Sequence, residues 1–334
     1  MTWIVKLESA VERYSPRAPS VQIGRTIVAA AQILLLLGTS WKNLTPYVYG
    51  VPDDVTCSYL ARVAIFCVVP DLDPAGMPRA VAVAILVAVC AGVVPRYTGF
   101  LHLWVSFSIG VSLTLPDGGE QVAQVATIAV AILLLGDNRL IAWRSERRST
   151  AIAWLGVSYA GWWVLRLQMA GIYLQSSVAK FGVDDWLNGT AMYYVVRDPS
   201  FGATSFIGSI LRAVTDTPLG TAALSWGAIA VEMVIGICVL LGPRMRRLAL
   251  IASCLLHVGI ILSIGLWTFG LIMIGAMTIA TGQLDGARLP GDLPERATED
   301  EGDEAALDSA LPHTKGATRL CDLRDVSDRR SARR

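Results

Sequence analysis

The chain has 334 residues, of which 54% are hydrophobic and only 16% are charged. That balance excludes an ordinary soluble enzyme of this length, and a net charge of +1 leaves no electrostatic footprint for nucleic acid. The charge is also unevenly spread, because a polar tail after residue 284 follows a long apolar body.

Residues 1–21 are polar and read as an N-terminal segment, not as the short apolar core of a cleavable signal peptide. Apolar runs follow at 22–39, 79–95, 98–115, 120–136, 151–179, 219–242 and 246–282, with a shorter one at 57–70. A transmembrane helix needs about 20 mostly apolar residues. The expected fold is therefore all-α, a polytopic transmembrane helical bundle over residues 22–282 with about 7–8 spans. Segment 57–70 is short and carries Arg62, so it is expected to lie in the interface or to re-enter. The run 246–282 would be about 55 Å long as one helix, and Gly265 is the expected break point. Residues 283–334 carry the acidic run EDEGDE and an Arg-rich end. They have few large apolar side chains and are expected to be disordered.

The basic loops give the orientation. Arg96, the cluster Arg139, Arg144, Arg147 and Arg148, and the set Arg244, Arg246 and Arg247 join Lys6, Arg13 and Arg17 on one side if 57–70 does not span. The positive-inside rule then makes the N-terminus cytoplasmic. The loop from Lys180 to Pro218 falls outside the cytoplasm, in a multi-pass protein of the bacterial cell membrane.

Ionisable groups inside spans are costly and are the first functional candidates. Arg166, Tyr173 and Lys180 are spaced by seven and share one helix face, and Gln168 and Gln175 form a second polar stripe. Two such stripes should face protein or a cavity. Lys180 is either a snorkelling helix end or a catalytic base, since a desolvated amine is a competent base. Glu232 lies mid-segment and is expected to be paired, protonated or beside water, with a structural pair to Arg25 or Arg166 as the plain alternative. His257 lies in another run and reads either as hydrogen-bonded structure or as a proton relay with Glu232. His102, among aromatics near the start of its span, reads as structural. Trp186 suits an interfacial anchor. Asp117 to Glu120 read as a turn between two spans. The six cysteines form no CxxC, so neither a zinc site nor a disulfide framework is expected.

Three stretches carry a resemblance. RLQMAGIYLQSSVAKFGVDDWLNGTAM, with its Arg-x-Gln start, Tyr, Ala-Lys helix end and following acid, Trp and Gly, is similar to a signature of the vitamin K-dependent carboxylase-like superfamily, the horizontally transferred transmembrane domain. LLHVGIILSIGLWTFGLIMIGA resembles its second signature. VVPRYTGFLHLWVSFSIGVSLTLPDGGEQ resembles the sporulation-delaying protein B branch of that superfamily. The resemblance implies a helical bundle with its functional face outside the cytoplasm. It places Lys180 where the carboxylases keep the base that deprotonates a reduced quinone, and His257 at the histidine of the second signature. The expected catalytic set is Lys180, Glu232 and His257, lining one extracytoplasmic-facing cavity that acts on a peptide or a lipophilic cofactor, with Arg166, Tyr173 and Trp186 around a quinone-like lipid. In the sporulation-delaying branch the protein works with a small partner protein, and the two turn a secreted precursor peptide into an antimicrobial toxin. The carboxylases carry a large lumenal domain after the membrane part, where a short tail is expected here, so toxin maturation is the expected role rather than glutamate carboxylation. Three other roles remain: a non-catalytic scaffold, an immunity protein and a transporter. The last would call for internal inverted repeats, which the sequence lacks.

Overall fold

The computed structural model describes residues 8–11, 14–45, 57, 59–69, 76–112, 118–144, 150–198 and 206–282. These all fall in one compact unit, Met1–Pro294; the second, Glu295–Arg334, lies outside the described residues, as does the expectation of a disordered tail. Ten helices of seven residues or more follow one another among the described residues: α1 Pro19–Gly38, α2 Met77–Cys90, α3 Pro95–Ser112, α4 Gly118–Leu133, α5 Ile152–Lys180, α6 Ala191–Arg197, α7 Phe206–Thr215, α8 Pro218–Cys238, α9 Pro243–Ile264 and α10 Trp267–Thr281. Proline occupies the first turn of α1, α2, α8 and α9, where its missing N–H costs nothing. Among the described residues the fold is all-helical, and four helices are long and apolar enough to cross a membrane: α1, α4 with its short extension to Gly136, α8 and α9.

Gly265 breaks the last run as expected. It ends α9 with a left-handed φ of 76°, a conformation that favours glycine. The chain reverses there, and α10 returns through the middle of the bundle against α1, α4, α5 and α9. At 15 residues α10 is about 22 Å long. Protein rather than lipid surrounds it, so it need not match the bilayer. Its approach to α1 is close because both sides are glycine. A Cβ on Gly24 would lie 2.5 Å from the Gly275 carbonyl oxygen, and one on Gly275 would lie 2.8 Å from that of Gly24. Small residues let backbones meet in this way where the hydrophobic effect cannot drive helices together.

Segment 57–70 does not form a span. Tyr59–Val63 is a 3₁₀ turn and Ile65–Val68 a single α turn. They lie across α2 and α3, with the Ile65 N–H donating to Ser108 Oγ at 2.9 Å and Trp104 Nε1 donating to the Val63 carbonyl. Here one sequence expectation fails. Cys57 and Cys67 form a disulfide, with Cα atoms 5.7 Å apart. The expectation rested on the lack of a CxxC, but these two cysteines, ten residues apart, are brought together by the short turns between them. The turn expected over 117–120 is also revised. Gly118 to Glu120 form the first turn of α4, where an acidic side chain suits the helix dipole, and Asp117 lies outside the described residues.

The bundle has a basic end. Arg17 donates to Asn138 Oδ1 at 2.9 Å and to Thr150 Oγ1 at 2.7 Å, and Val93 bridges Ile141. Arg139 pairs with buried Asp137 at 2.7 Å, and Arg246 donates to the Gly282 carbonyl at 3.2 Å. Tyr14, Tyr159, Trp162 and Trp163 stack above them. Burial, with Asp137 nearby, pushes the Tyr14 phenol up from its ordinary value.

Gly24→Ala is expected to destabilise the protein by about 1–3 kcal/mol, as overpacking does. Gly227→Ala, where an added Cβ meets nothing within 4 Å, should be neutral or slightly stabilising. Thermal unfolding of the two variants in detergent checks this contrast.

Candidate functional site

The site lies at the end of the bundle opposite the basic one, where α5 stops. Lys180 is the last residue of α5, and its cation suits the carbonyls of the final turn. Its Nζ donates to Ser176 Oγ at 2.9 Å and to Glu232 Oε2 at 2.6 Å. Glu232 reaches it from α8, which packs antiparallel along α5: Ser177 Oγ donates to the Ile229 carbonyl, and Gly236 sits against Leu174. The Glu232 carboxylate is therefore paired with Lys180, not with Arg25 or Arg166 as the plain alternative had it. The pair is accessible at its edge, with side chains 17% and 14% exposed. After a three-residue turn, the short helix Asp184–Leu187 carries Trp186 back over the amine, with Nζ 5.2 Å from the ring centroid. Asp184 and Asp185 are exposed, and Asp185 accepts from Thr190 instead.

Two turns deeper, Tyr173 faces α9. Its Oη lies 2.8 Å from both Ser253 Oγ and His257 Nε2. The phenol has one proton, so it can donate to only one of them and the other must donate to it. Phe269 of α10 closes the far side of the imidazole, edge-on at 5.2 Å. Tyr173 and His257 are both 2% exposed, which leaves this trio closed in by protein.

Arg166 is placed elsewhere. It lies about 21 Å from Lys180 along α5, near the basic end. Its guanidinium donates to the Val239 carbonyl at 2.8 Å and to that of Leu241 at 3.2 Å, and lies 4.0 Å from the Trp163 ring centroid. It closes the C-terminus of α8. Arg166, Tyr173 and Lys180 do share a face, but that face serves three places. The second stripe departs from expectation: Gln168 is half-buried, and Gln175 is exposed among the outward residues Val164, Leu167 and Val178. Reading the sequence missed Ser176, one turn before the Lys180 it bonds, and Ser253, one turn before His257 and bonded to the same Tyr173 hydroxyl. His102 is structural in the manner expected: buried against α1, with Nε2 3.1 Å from Gln32 Oε1.

The fold and site together define an all-helical membrane-type bundle with a lysine–glutamate pair at one end. Over 275 residues, 82% of this chain and 84% of the relative, it is 28% identical to the sporulation-delaying protein SdpB of Bacillus subtilis (strain 168). It is 29% identical over 285 residues, 84% of this chain and 91% of the relative, to the uncharacterized protein YitO of the same organism. No family model and no solved structure matches the chain. The similarity to SdpB supports the sporulation-delaying protein B family for the chain.

Removing either partner of the Lys180–Glu232 pair should cost up to about 3 kcal/mol, the low end for a buried pair, because it strands the other charge. Lys180→Met with Glu232→Leu should recover most of that loss. Melting temperatures of the two single variants and the double variant test the coupling.

Proposed function

We propose that this chain is a multi-pass protein of the bacterial cell membrane that serves the maturation of a sporulation-delaying-type toxin peptide, together with a small partner protein and the toxin precursor. The similarity to SdpB supports the toxin system. The four long apolar helices support the membrane. On this reading α1 to α5 and α8 to α10 make eight crossings, the N-terminus is cytoplasmic, and the domain is of the horizontally transferred, carboxylase-like kind. The Cys57–Cys67 disulfide favours that orientation, because disulfides persist in oxidising surroundings. It lies at the end opposite the basic loops, which the positive-inside rule keeps in the cytoplasm.

The observation that carries the reading is the Lys180–Glu232 pair, a proton donor and acceptor 2.6 Å apart at the extracytoplasmic mouth. A precursor arriving there would meet a charge pair, the Trp186 face and the hydroxyl of Ser176. His257 and Tyr173 would act as a buried hydrogen-bonded support two turns below. A quinone-like cofactor does not fit the residues expected to hold it. Arg166 is engaged with carbonyls near the basic end, Tyr173 is bonded to Ser253 and His257, and only Trp186 stands beside Lys180. A carboxylase-like reaction is therefore the weaker reading. The mutual satisfaction of Lys180 and Glu232 favours one alternative, a non-catalytic scaffold or immunity protein in which the pair only joins α5 to α8.

Toxin maturation with the partner co-expressed separates these readings. Lys180→Ala should abolish maturation at normal membrane levels. Activity retained in Lys180→Arg alone marks a structural cation, and full activity in both variants sinks the catalytic role. Orientation is checked with a membrane-impermeant maleimide on intact cells. Cys57 and Cys67 should react only after mild reduction and without permeabilisation; a need for permeabilisation would reverse the topology.

A further inference from the structure

Among its described residues, the segment between α5 and α8 holds three short helices, and α7 is two-sided. Gly208 and Thr215 are buried against the protein, while Phe206, Ile210 and Val214, spaced by four, are 80%, 49% and 39% exposed. A stripe like this is unusual on a water-facing surface. It also continues directly into the outward face of α8, where Leu219 is 82% and Trp226 52% exposed.

The orientation of α7 is fixed. Arg197, the last residue of α6, donates to Thr215 Oγ1 at 2.8 Å and to the Arg212 carbonyl at 3.3 Å, and pairs with Asp216 at 2.5 Å. Its guanidinium also lies 3.9 Å from the Tyr193 ring centroid. One arginine thus closes the C-terminus of α7 and ties it to α6. Ser209 and Arg212 are exposed on the flank of the stripe, as in a helix lying along a boundary between water and hydrocarbon.

We infer that α6 and α7 form an interfacial arm, with the Phe206–Ile210–Val214 face of α7 seated in the headgroup–acyl boundary of the extracytoplasmic leaflet. Continuity with α8 identifies the occupant as lipid. Only Asp216 and Thr217 separate the apolar stripe of α7 from α8, a helix long enough to span whose own outward side is apolar. Tyr193, Tyr194 and Trp226 add the amphipathic aromatics that collect at that depth. The inference rests on the reading of the bundle as membrane-spanning.

The test is spin labelling of the full chain in phosphatidylethanolamine–phosphatidylglycerol vesicles, with Cys90, Cys238, Cys254 and Cys321 replaced and the disulfide kept. Labels go singly on Phe206→Cys, Ser209→Cys, Ile210→Cys, Arg212→Cys and Val214→Cys, with Leu255→Cys on the outward face of α9 as the bilayer reference. The ratio of collision with oxygen to collision with a nickel chelate should be several-fold higher at 206, 210 and 214 than at 209 and 212. Access of the nickel chelate to every α7 position overturns the arm. Shielding of 206, 210 and 214 from both reagents overturns it too, because protein would then cover the face. A lipid-exposed Leu255→Cys beside either outcome confines the failure to the arm. A water-exposed Leu255→Cys removes the membrane reading and the arm with it.

Discussion

Inside hydrocarbon a polar group finds no water, so each one must be satisfied by the protein itself. This bundle meets that constraint largely by spending cations on the open carbonyls of helix ends. Arg166 closes α8, Arg246 holds the carbonyl just past α10, Arg197 closes α7 and Lys180 bonds within the last turn of α5. Apart from the Lys180 bond, which stays within α5, each fixes where one helix stops against another. The paired elements of the candidate site follow from it: α8 is held against α5 at Arg166, and the same register brings Glu232 up to Lys180.

The charges thus divide by depth. Near the basic end, arginine and tryptophan stack into a closed layer over the helix ends. At the other end a single lysine stands at the edge, half-covered by Trp186, with a carboxylate rather than a carbonyl as its nearest partner. Between the two layers runs α10, against which α1, α4, α5 and α9 pack. Its glycines let α1 and α9 approach closely, while Ile272 and Met277 fill the core between the helices. Polar contacts such as that of Tyr173 with Ser253 and His257 supply the specificity that packing alone would not.

Much of the fold was legible from hydrophobic runs, because spans of about 20 apolar residues leave few alternatives. Gly265 was legible for the same reason: a run too long for one crossing needs a residue that tolerates a left-handed turn. The disulfide was not legible, since a ten-residue separation between two cysteines is no signal until the chain between them is seen to fold back. For the site, spacing by seven placed Arg166, Tyr173 and Lys180 on one face but said nothing of depth. On a helix of 29 residues one face passes through several environments. Ser176 and Ser253 escaped notice because a serine in an apolar helix more often bonds its own backbone.

The contact between Gly24 and Gly275 joins the first long helix to the last. During synthesis α1 enters the membrane long before α10 exists, so its glycine face waits while eight other helices are made. Its polar residues wait less: Gln22 and Arg25 meet the Val89 carbonyl and Thr98, and Gln32 meets Ser106, as soon as α2 and α3 arrive. The early trio can hold α1 upright, and the late return of α10 locks it. Assembly then ends with the start of the first long helix and the end of the last side by side, Ser20 next to Gly282.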